Sequence, residues 1–267
     1  WDKKMTPKQK RRHLQRRKKR IRRIRRRMKA YAARALVLTV LLLLGIIIIR
    51  GGLWLLGGSK KTEETFQDAR IVEPAKRDPD CKVIVLDAGH GGRDQGTSAG
   101  NVLEKDINLS MVKKLAELLD DDRIDILLTR ETDTKIGLNE RAEFANHNKA
   151  DLFISLHCNY CEDDAGVQGL ECYYREDSEE GGALAAHIVD AFQGEERVIN
   201  RGTRTANFRV LCNTHMPAVL VEMGYLSNRT ERDKLTDEAY QDILAEKLAE
   251  GILASGLFQE EQPESDS

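Results

Sequence analysis

The stretch Val83-Ile-Val-Leu-Asp-Ala-Gly-His-Gly-Gly-Arg-Asp-Gln-Gly96 joins a short apolar run to a loop rich in glycine and charge. The branched apolar residues predict a buried strand over residues 83–86. Four glycines surround His90 in the loop that follows, and glycine lets a backbone approach a ligand closely. Because open α/β sheets bind their ligands beyond the carboxyl ends of the strands, this junction predicts a functional site.

Strand and helix patterns alternate on the carboxyl side of this loop. Strands are predicted over residues 124–128, 152–156, 167–174 and 219–222, and helices over residues 103–119, 138–148, 182–192 and 238–253. Alternation with short connections predicts an α/β fold in which helices flank a largely parallel central sheet. We expect this domain to occupy residues 81–257 and residues 258–267 to form a disordered tail.

Charge is distributed unevenly along the 267 residues, although the formal net charge is only -1. Residues 1–34 carry 18 Lys and Arg against one acid, whereas residues 62–267 carry 22 Lys and Arg against 43 Asp and Glu. This asymmetry excludes a simple cytosolic enzyme. Regular apolar runs after residue 80 also exclude a wholly disordered chain.

Residues 35–58 contain a single charge, Arg50, and favour a transmembrane helix. At about 1.5 Å per residue such a helix spans roughly 36 Å, which exceeds a hydrocarbon core of about 30 Å. Arg50 lies toward one end, where its side chain can reach the interface. A cleaved signal peptide is the alternative, but the basic region before the apolar run is unusually long for one. We therefore expect one N-terminal membrane anchor and then a polar linker over residues 59–80.

The basic segment over residues 1–34 determines the expected orientation. Lys and Arg beside a span are retained in the cytoplasm, so we expect a cytoplasmic tail and an acidic domain on the extracytoplasmic side of the cell membrane. The basic runs could instead bind nucleic acid, but no aromatic residues interleave with them and the attached domain is acidic. We therefore expect contact with anionic lipid and no nucleic-acid partner.

Three further polar residues are predicted to reach the edge of the sheet where His90 lies. Glu104 begins the helix predicted over residues 103–119, and His157 and Glu222 each end a predicted strand. Taken singly, each has an ordinary structural explanation, such as the interaction of a glutamate with a helix dipole. Together, two imidazoles and one carboxylate make a catalytic zinc set with an open fourth position, and the other carboxylate is free to act as a base.

Six sequence signatures occur in a fixed order along the domain. The first is the glycine-rich stretch that follows residue 86. The others are Glu104 with Asn108-Leu109, Thr129-Arg130 with Asp133, Arg141 with Ala145-Asn146, Ser155-Leu-His-Cys-Asn159, and Pro217-Ala-Val-Leu-Val-Glu-Met-Gly-Tyr-Leu-Ser-Asn228. Over about residues 82–257 the chain resembles the zinc-dependent N-acetylmuramoyl-L-alanine amidases of the amidase type 3 family.

This resemblance implies that His90, Glu104 and His157 bind Zn²⁺ and that Glu222 is the catalytic residue. The substrate would be peptidoglycan, cleaved at the amide between N-acetylmuramic acid and L-alanine of the stem peptide. A zinc ion would activate water and polarise the scissile carbonyl. Glu222 would take the proton of that water and return one to the alanine amine.

The layout of the family signatures carries further expectations. His157 and Glu222 are 65 residues apart, which is the compact spacing, without the helical insertion that covers the zinc in some relatives. A membrane-anchored form without wall-binding repeats resembles the amidases that act on spore cortex, and the sequence leaves open whether sporulation or daughter-cell separation is served. Arg93, Asn108 and Arg141 match family positions and are expected to orient or support the site. A protein activator is left open as a partner.

Five cysteines lie in the predicted external domain, and since the number is odd at least one lacks an intramolecular partner. The pair in Cys158-Asn-Tyr-Cys161 could form a second metal site or a redox pair, but a structural zinc needs four ligands and this pair supplies two. Two other functions could use the candidate site, namely a zinc peptidase acting on wall peptides and a non-catalytic wall-binding protein. The presence of all four candidate residues favours a catalyst.

Overall fold

The computed structural model describes residues 81–256, and all elements named below lie in that range. The strands are β1 (Lys82–Ala88), β2 (Ser98–Ala99), β3 (Val102–Leu103), β4 (Ile124–Leu128), β5 (Leu152–Asn159), β6 (Leu170–Tyr174), β7 (Asn200–Thr205) and β8 (Ala218–Tyr225). The helices are α1 (Glu104–Leu118), α2 (Leu138–His147), α3 (Glu179–Asp190), α4 (Arg209–Cys212), α5 (Arg229–Leu235) and α6 (Glu238–Ala254).

Six of these strands form one sheet in the order β4-β1-β5-β8-β6-β7. The first four strands in this order pair in parallel, β6 pairs antiparallel with β8, and β7 pairs parallel with β6. A mainly parallel sheet flanked by helices confirms the predicted α/β fold. The reversed direction of β6 and β7 was not predicted, because the apolar pattern of a strand carries no information about its direction.

The two faces of the sheet contact different sets of helices. Successive residues of a strand point to opposite faces, so Ile84 faces the larger core and Val85 faces the smaller one. Residues of α1, α3 and α6 fill the larger core, and residues of α2 and α4 fill the smaller core. By the same alternation His157 and Glu222 lie on the face of the smaller core, where fewer helices cover the sheet.

β5 and β8 are longer than the sequence patterns predicted. β5 continues to Asn159 and β8 continues to Tyr225, so His157 and Glu222 lie within strands and not at their ends. Their Cα atoms are direct partners in the parallel register. The apolar runs determined the predicted ends, whereas the backbone pairing continues through polar residues whose side chains face the site.

Five elements were absent from the predictions, namely β2, β3, β7, α4 and α5, and the longest of these are β7 and α5. β7 has the sequence Asn200-Arg-Gly-Thr-Arg-Thr205, which contains no large apolar side chain and is exposed over most of its length, as an edge strand can be. α5 is only seven residues long and begins after Asn228, whose side chain accepts a hydrogen bond from Glu231 N. Neither element has the apolar periodicity on which the predictions depend.

Several predictions concern residues beyond those that the structure describes. The basic tail over residues 1–34, the anchor over residues 35–58, the linker over residues 59–80 and the tail over residues 258–267 stay predictions. Within residues 81–256 no helix has both the length and the apolar character needed to cross a membrane.

Candidate metal centre

The loop after β1 places His90 over the edge of the sheet. His90 has a left-handed backbone conformation with φ at 62°, and Gly91 and Gly92 also have positive φ. For a residue with a Cβ atom this conformation costs about 1–2 kcal/mol, so neighbouring contacts have to maintain it. Arg141 Nη2 donates a hydrogen bond to the backbone oxygen of His90 at 2.7 Å and thereby holds the loop.

Three of the predicted residues, His90, Glu104 and His157, come together beside this loop. Their candidate ligand atoms all lie within 4.8 Å of one another, and within residues 81–256 no other group of His, Cys, Asp and Glu side chains is placed to hold a metal ion in this way. Glu104 Oε1 lies 3.2 Å from His90 Nε2 and 2.8 Å from His157 Nδ1. Two atoms that bind one tetrahedral zinc at about 2.1 Å lie about 3.4 Å apart, and the distances between the three residues, from 2.8 Å to at most 4.8 Å, span this value.

Asp94 holds the ring of His90 in the orientation that a metal ligand requires. His90 Nδ1 donates to Asp94 Oδ1 at 2.9 Å, which leaves Nε2 as the atom that faces Glu104. Gly96 N donates to the same Asp94 oxygen at 3.2 Å. Histidines that bind zinc commonly give their second nitrogen to a carboxylate in this way. No role was predicted for Asp94, although its position four residues after His90 in the sequence was an available signal.

Glu104 is buried and accepts several hydrogen bonds. Thr97 N donates to Oε2 at 2.7 Å, and Cys158 N donates to Oε1 at 3.1 Å. Burial alone would raise the pKa of Glu104, but hydrogen bonds and charges from His157 and His90 outweigh burial and hold this pKa well below its usual range. Glu104 therefore stays ionised, as an anionic metal ligand must.

Glu222 lies beside this group but does not belong to it. Its Oε2 is buried and has no hydrogen-bond partner among the described residues. Burial raises the pKa of Glu222 to about 7, an effect that His157 opposes and that the nearby carboxylates of Glu104 and Glu171 reinforce. Since buried polar atoms are usually paired, the unpaired oxygen marks Glu222 as a group available to a proton on water or substrate.

Buried charges support the loop from the side of the sheet. Arg141 Nη1 donates to Asp87 at 2.5 Å and to the backbone oxygen of Ala88 at 2.6 Å. Arg130 donates from Nε to the backbone oxygen of Ala88 at 2.9 Å and from Nη2 to that of Gly89 at 3.0 Å. With the bond to His90, the two arginines hold three consecutive carbonyl groups. The supporting position expected for Arg141 agrees with these contacts.

Asn108 and Arg93, the other two residues expected to orient the site, differ in burial and in hydrogen bonding. Asn108 is buried, and its Nδ2 donates to the backbone oxygen of Gly89 and to Glu104 Oε1, both at 3.3 Å. Arg93 is exposed, and no hydrogen bond or ion pair joins its side chain to another residue of the described part of the chain. The geometry therefore supports an orienting role for Asn108 and gives none to Arg93.

Of the five cysteines, Cys158, Cys161, Cys172 and Cys212 are free thiols, and Cys81 Sγ donates a hydrogen bond to the backbone oxygen of Asp122 at 3.4 Å. Cys158 faces the larger core, on the opposite side of the sheet from His157, and burial raises the pKa of its thiol well above the usual value. Within residues 81–256 no cysteine belongs to a group of side chains placed to hold a metal ion. The alternative of a second metal site at Cys158 and Cys161 gains no support.

Because Gly89 has no side chain, the ring of His157 can lie against its backbone. A Cβ atom at Gly89 would lie 2.2 Å from His157 Cε1 and 2.6 Å from Nδ1. We expect Gly89→Ala to displace the imidazole and to lower metal affinity about tenfold to a hundredfold, the usual effect of disturbing the support of a ligand. Metal titration of the purified domain measures this change.

Gly166→Ala is the matched control for that substitution. A Cβ atom at the exposed Gly166 would approach only the end of the flexible Asp164 side chain, at 2.9 Å. Equal metal affinity in the two variants would show that the space at Gly89 is not needed.

The sequence and the fold of this chain are similar to those of cell-wall amidases. The family Amidase_3, described as N-acetylmuramoyl-L-alanine amidase, matches residues 84–254. The Staphylococcus epidermidis protein named Probable cell wall amidase LytH is 36% identical over 174 residues, which cover 64% of this chain and 57% of that protein. The chain thus spans just over half the length of this curated relative.

Two solved structures share the fold. An N-acetylmuramoyl-L-alanine amidase from Clostridium difficile 630 superposes with a TM-score of 0.63 at 37% identity, covering 66% of this chain and 96% of that one. The CwlD amidase from Clostridioides difficile, solved in complex with the GerS lipoprotein, has a TM-score of 0.60 at 31% identity and covers 65% of this chain and 98% of that one. Both alignments cover nearly the whole of the solved chain.

Proposed function

This chain belongs to the Amidase_3 family of N-acetylmuramoyl-L-alanine amidases, and we propose that it is a zinc-dependent peptidoglycan hydrolase. The bond cleaved is the amide between N-acetylmuramic acid and L-alanine of the stem peptide. The observation that carries the proposal is the approach of His90 Nε2, Glu104 Oε1 and His157 Nδ1 beside a carboxylate, Glu222, that has an unpaired buried oxygen.

His90, Glu104 and His157 would hold the ion, and each has a support that prepares it for this role. Asp94 fixes the tautomer of His90, and backbone N–H groups fix the carboxylate of Glu104. When bound, zinc supplies a Lewis acid that activates water and polarises a carbonyl group. No protein donor needs to be placed as a separate oxyanion hole for this chemistry.

Glu222 would transfer a proton from the attacking water to the leaving alanine nitrogen. Its Oε2 would accept the proton of the attacking water and then deliver a proton to the alanine nitrogen as the amide bond breaks. The pairing of β5 with β8 places Glu222 on the strand next to the ligand His157, on the same face of the sheet. A divalent cation at the neighbouring site would favour the ionised form of Glu222, which is the form that accepts a proton.

The products distinguish this function from a zinc peptidase with the same residues. With defined muropeptides as substrate, we expect the purified domain to release peptides with a free amino group on L-alanine, together with sugars whose lactyl group now ends in a free carboxylate. Mass spectrometry identifies both fragments. A strong chelator should stop their release and added Zn²⁺ should restore it.

Cleavage within the stem peptide would instead favour the peptidase. Binding of muropeptides without any new fragment would favour the non-catalytic wall-binding protein. Release that continues unchanged in metal-free protein would contradict the role of zinc.

The proposal also includes the location of the enzyme in the cell. We propose that residues 35–58 anchor the enzyme in the cell membrane with its domain outside, where the substrate lies. Protease treatment of intact cells, which reaches only an external domain, tests this placement. A role in sporulation and a protein activator belong to the same proposal, and the lipoprotein complex of the CwlD amidase is a precedent for such a partner.

A further inference from the structure

The buried carboxylate of Glu171 lies on the strand next to that of Glu222. The two residues are partners in the antiparallel register of β6 and β8, and Glu171 is 2% exposed. Glu171 Oε2 accepts hydrogen bonds from the hydroxyl groups of Tyr173 at 2.8 Å and Tyr225 at 3.1 Å. Glu171 carries no proton in the mechanism described above, and no role was predicted for it from the sequence.

Two arginines of the edge strand β7 share the other oxygen of Glu171. Arg201 Nε and Arg204 Nε donate to Glu171 Oε1 at 2.7 and 2.8 Å. Their side chains are 33% and 45% exposed. The buried carboxylate of Glu171 therefore holds the Nε atom of each guanidinium group, while the side chains of both arginines remain partly exposed to solvent.

The outer donors of these arginines are largely unused. Neither Nη atom of Arg204 makes a hydrogen bond within the described residues, and Arg201 uses only Nη1, which donates to the backbone oxygen of Gln168 at 3.4 Å. Each guanidinium has five N–H donors in a rigid fork that matches a carboxylate. Because two cations share one anion, the pair also keeps one positive charge at the rim of the site.

The pair lies within reach of a short peptide that extends from Glu222. Adjacent strands lie about 4.8 Å apart, so the backbone of β7 is about 10 Å from that of β8, where Glu222 lies. The Arg201 guanidinium lies 5.6 Å from the centre of the Tyr225 ring on β8, so it turns back toward the site. Two residues of extended peptide cover about 7 Å, which brings the second residue after the cleaved amide near these arginines.

We propose that Arg201 and Arg204, held by Glu171, form a subsite for a carboxylate of the stem peptide. In peptidoglycan the residue after L-alanine is D-glutamate joined through its side chain, so its α-carboxylate is either free or amidated. The subsite recognises the free carboxylate and thereby selects non-amidated stem peptides. This inference rests on the proposed amidase function and adds a substrate preference to it.

The test compares two muramyl tripeptides that differ only in whether the α-carboxylate of the second residue is free or amidated. We expect kcat/KM of the wild-type protein to be about tenfold higher for the free carboxylate, the usual effect of charge-assisted hydrogen bonds at a partly exposed site. In Arg201→Gln with Arg204→Gln the two substrates should react at equal rates, mainly through a higher KM for the carboxylate form. A third tripeptide, amidated only at its terminal carboxylate, distinguishes the second residue from the end of the peptide as the source of the anion.

The matched control is the double variant Arg123→Gln with Arg175→Gln. It removes the same charge, but Arg123 precedes β4 and Arg175 follows β6, at the opposite edge of the sheet from the site. This control should keep the wild-type preference. Zinc content and the thermal unfolding midpoint of both double variants separate a loss of preference from a loss of structure.

The outcomes separate this subsite from the proposed function. Cleavage of all three substrates at one rate by wild-type protein would overturn the subsite alone, as would a preference that persists in the Arg201 and Arg204 variant. Absence of cleavage of every substrate would overturn the amidase function itself, and the subsite with it.

Discussion

Glu222→Gln is expected to lower turnover by about 10² to 10⁴, the usual contribution of a general base, while zinc stays bound. Glutamine keeps the volume and one acceptor oxygen of glutamate but is not basic. Because Glu222 is not among the three residues whose donor atoms converge, its substitution should leave the metal site complete. Turnover is measured as the release from muropeptides of stem peptide with L-alanine at its free amino terminus.

Glu143→Gln is the matched control for this substitution. Glu143 is an exposed residue of α2, on the part of the chain that covers the smaller core, and its substitution removes the same charge. It should cleave the substrate at the wild-type rate. If Glu222→Gln also kept the wild-type rate, the proton would have to be carried by a different group.

Glu104→Ala is expected to weaken zinc binding by more than about a hundredfold, since changes in the support of a ligand alone cost tenfold to a hundredfold. The substitution removes the anion that lies 3.2 Å from His90 Nε2 and 2.8 Å from His157 Nδ1. Two histidines then remain, so an excess of Zn²⁺ should restore part of the activity. Competition with a chelator of known affinity measures the binding.

The zinc affinity of Glu104→Gln distinguishes the effect of losing the negative charge from the effect of losing the hydrogen bonds of Glu104. Glutamine can still accept a hydrogen bond through one oxygen, such as that from Thr97 N, but it is neutral. If zinc affinity fell in the alanine variant and not in the glutamine variant, Glu104 would act as a support for the loop and not as an anionic ligand.

The sequence predicted well those parts of the fold that depend on apolar patterns. β4 has the predicted bounds, and β1, β5 and β8 contain the predicted apolar runs. The pattern failed where pairing continues through polar residues, as at His157 and Glu222. It also failed at β7, whose side chains carry no apolar periodicity because the strand lies at an exposed edge.

The sequence also predicted that His90, Glu104 and His157 would lie together, as they do in the structure, while the roles of these residues stay predictions. Glycine spacing and family signatures identified His90, Glu104, His157 and Glu222 as a group. They did not identify Glu171, because its importance comes from burial and from pairing with Glu222 across the sheet. Such contacts between distant segments follow from strand order, which the local sequence of Glu171 does not encode.

The central claim assigns zinc binding to Glu104 and proton transfer to Glu222. The zinc content of purified Glu222→Gln and Glu104→Ala, measured by atomic emission beside wild-type protein, tests this division most directly. We predict about one zinc per chain in wild type and in Glu222→Gln, and a much lower content in Glu104→Ala after dialysis against a weak chelator. Loss of zinc from Glu222→Gln together with full retention in Glu104→Ala would contradict the assignment.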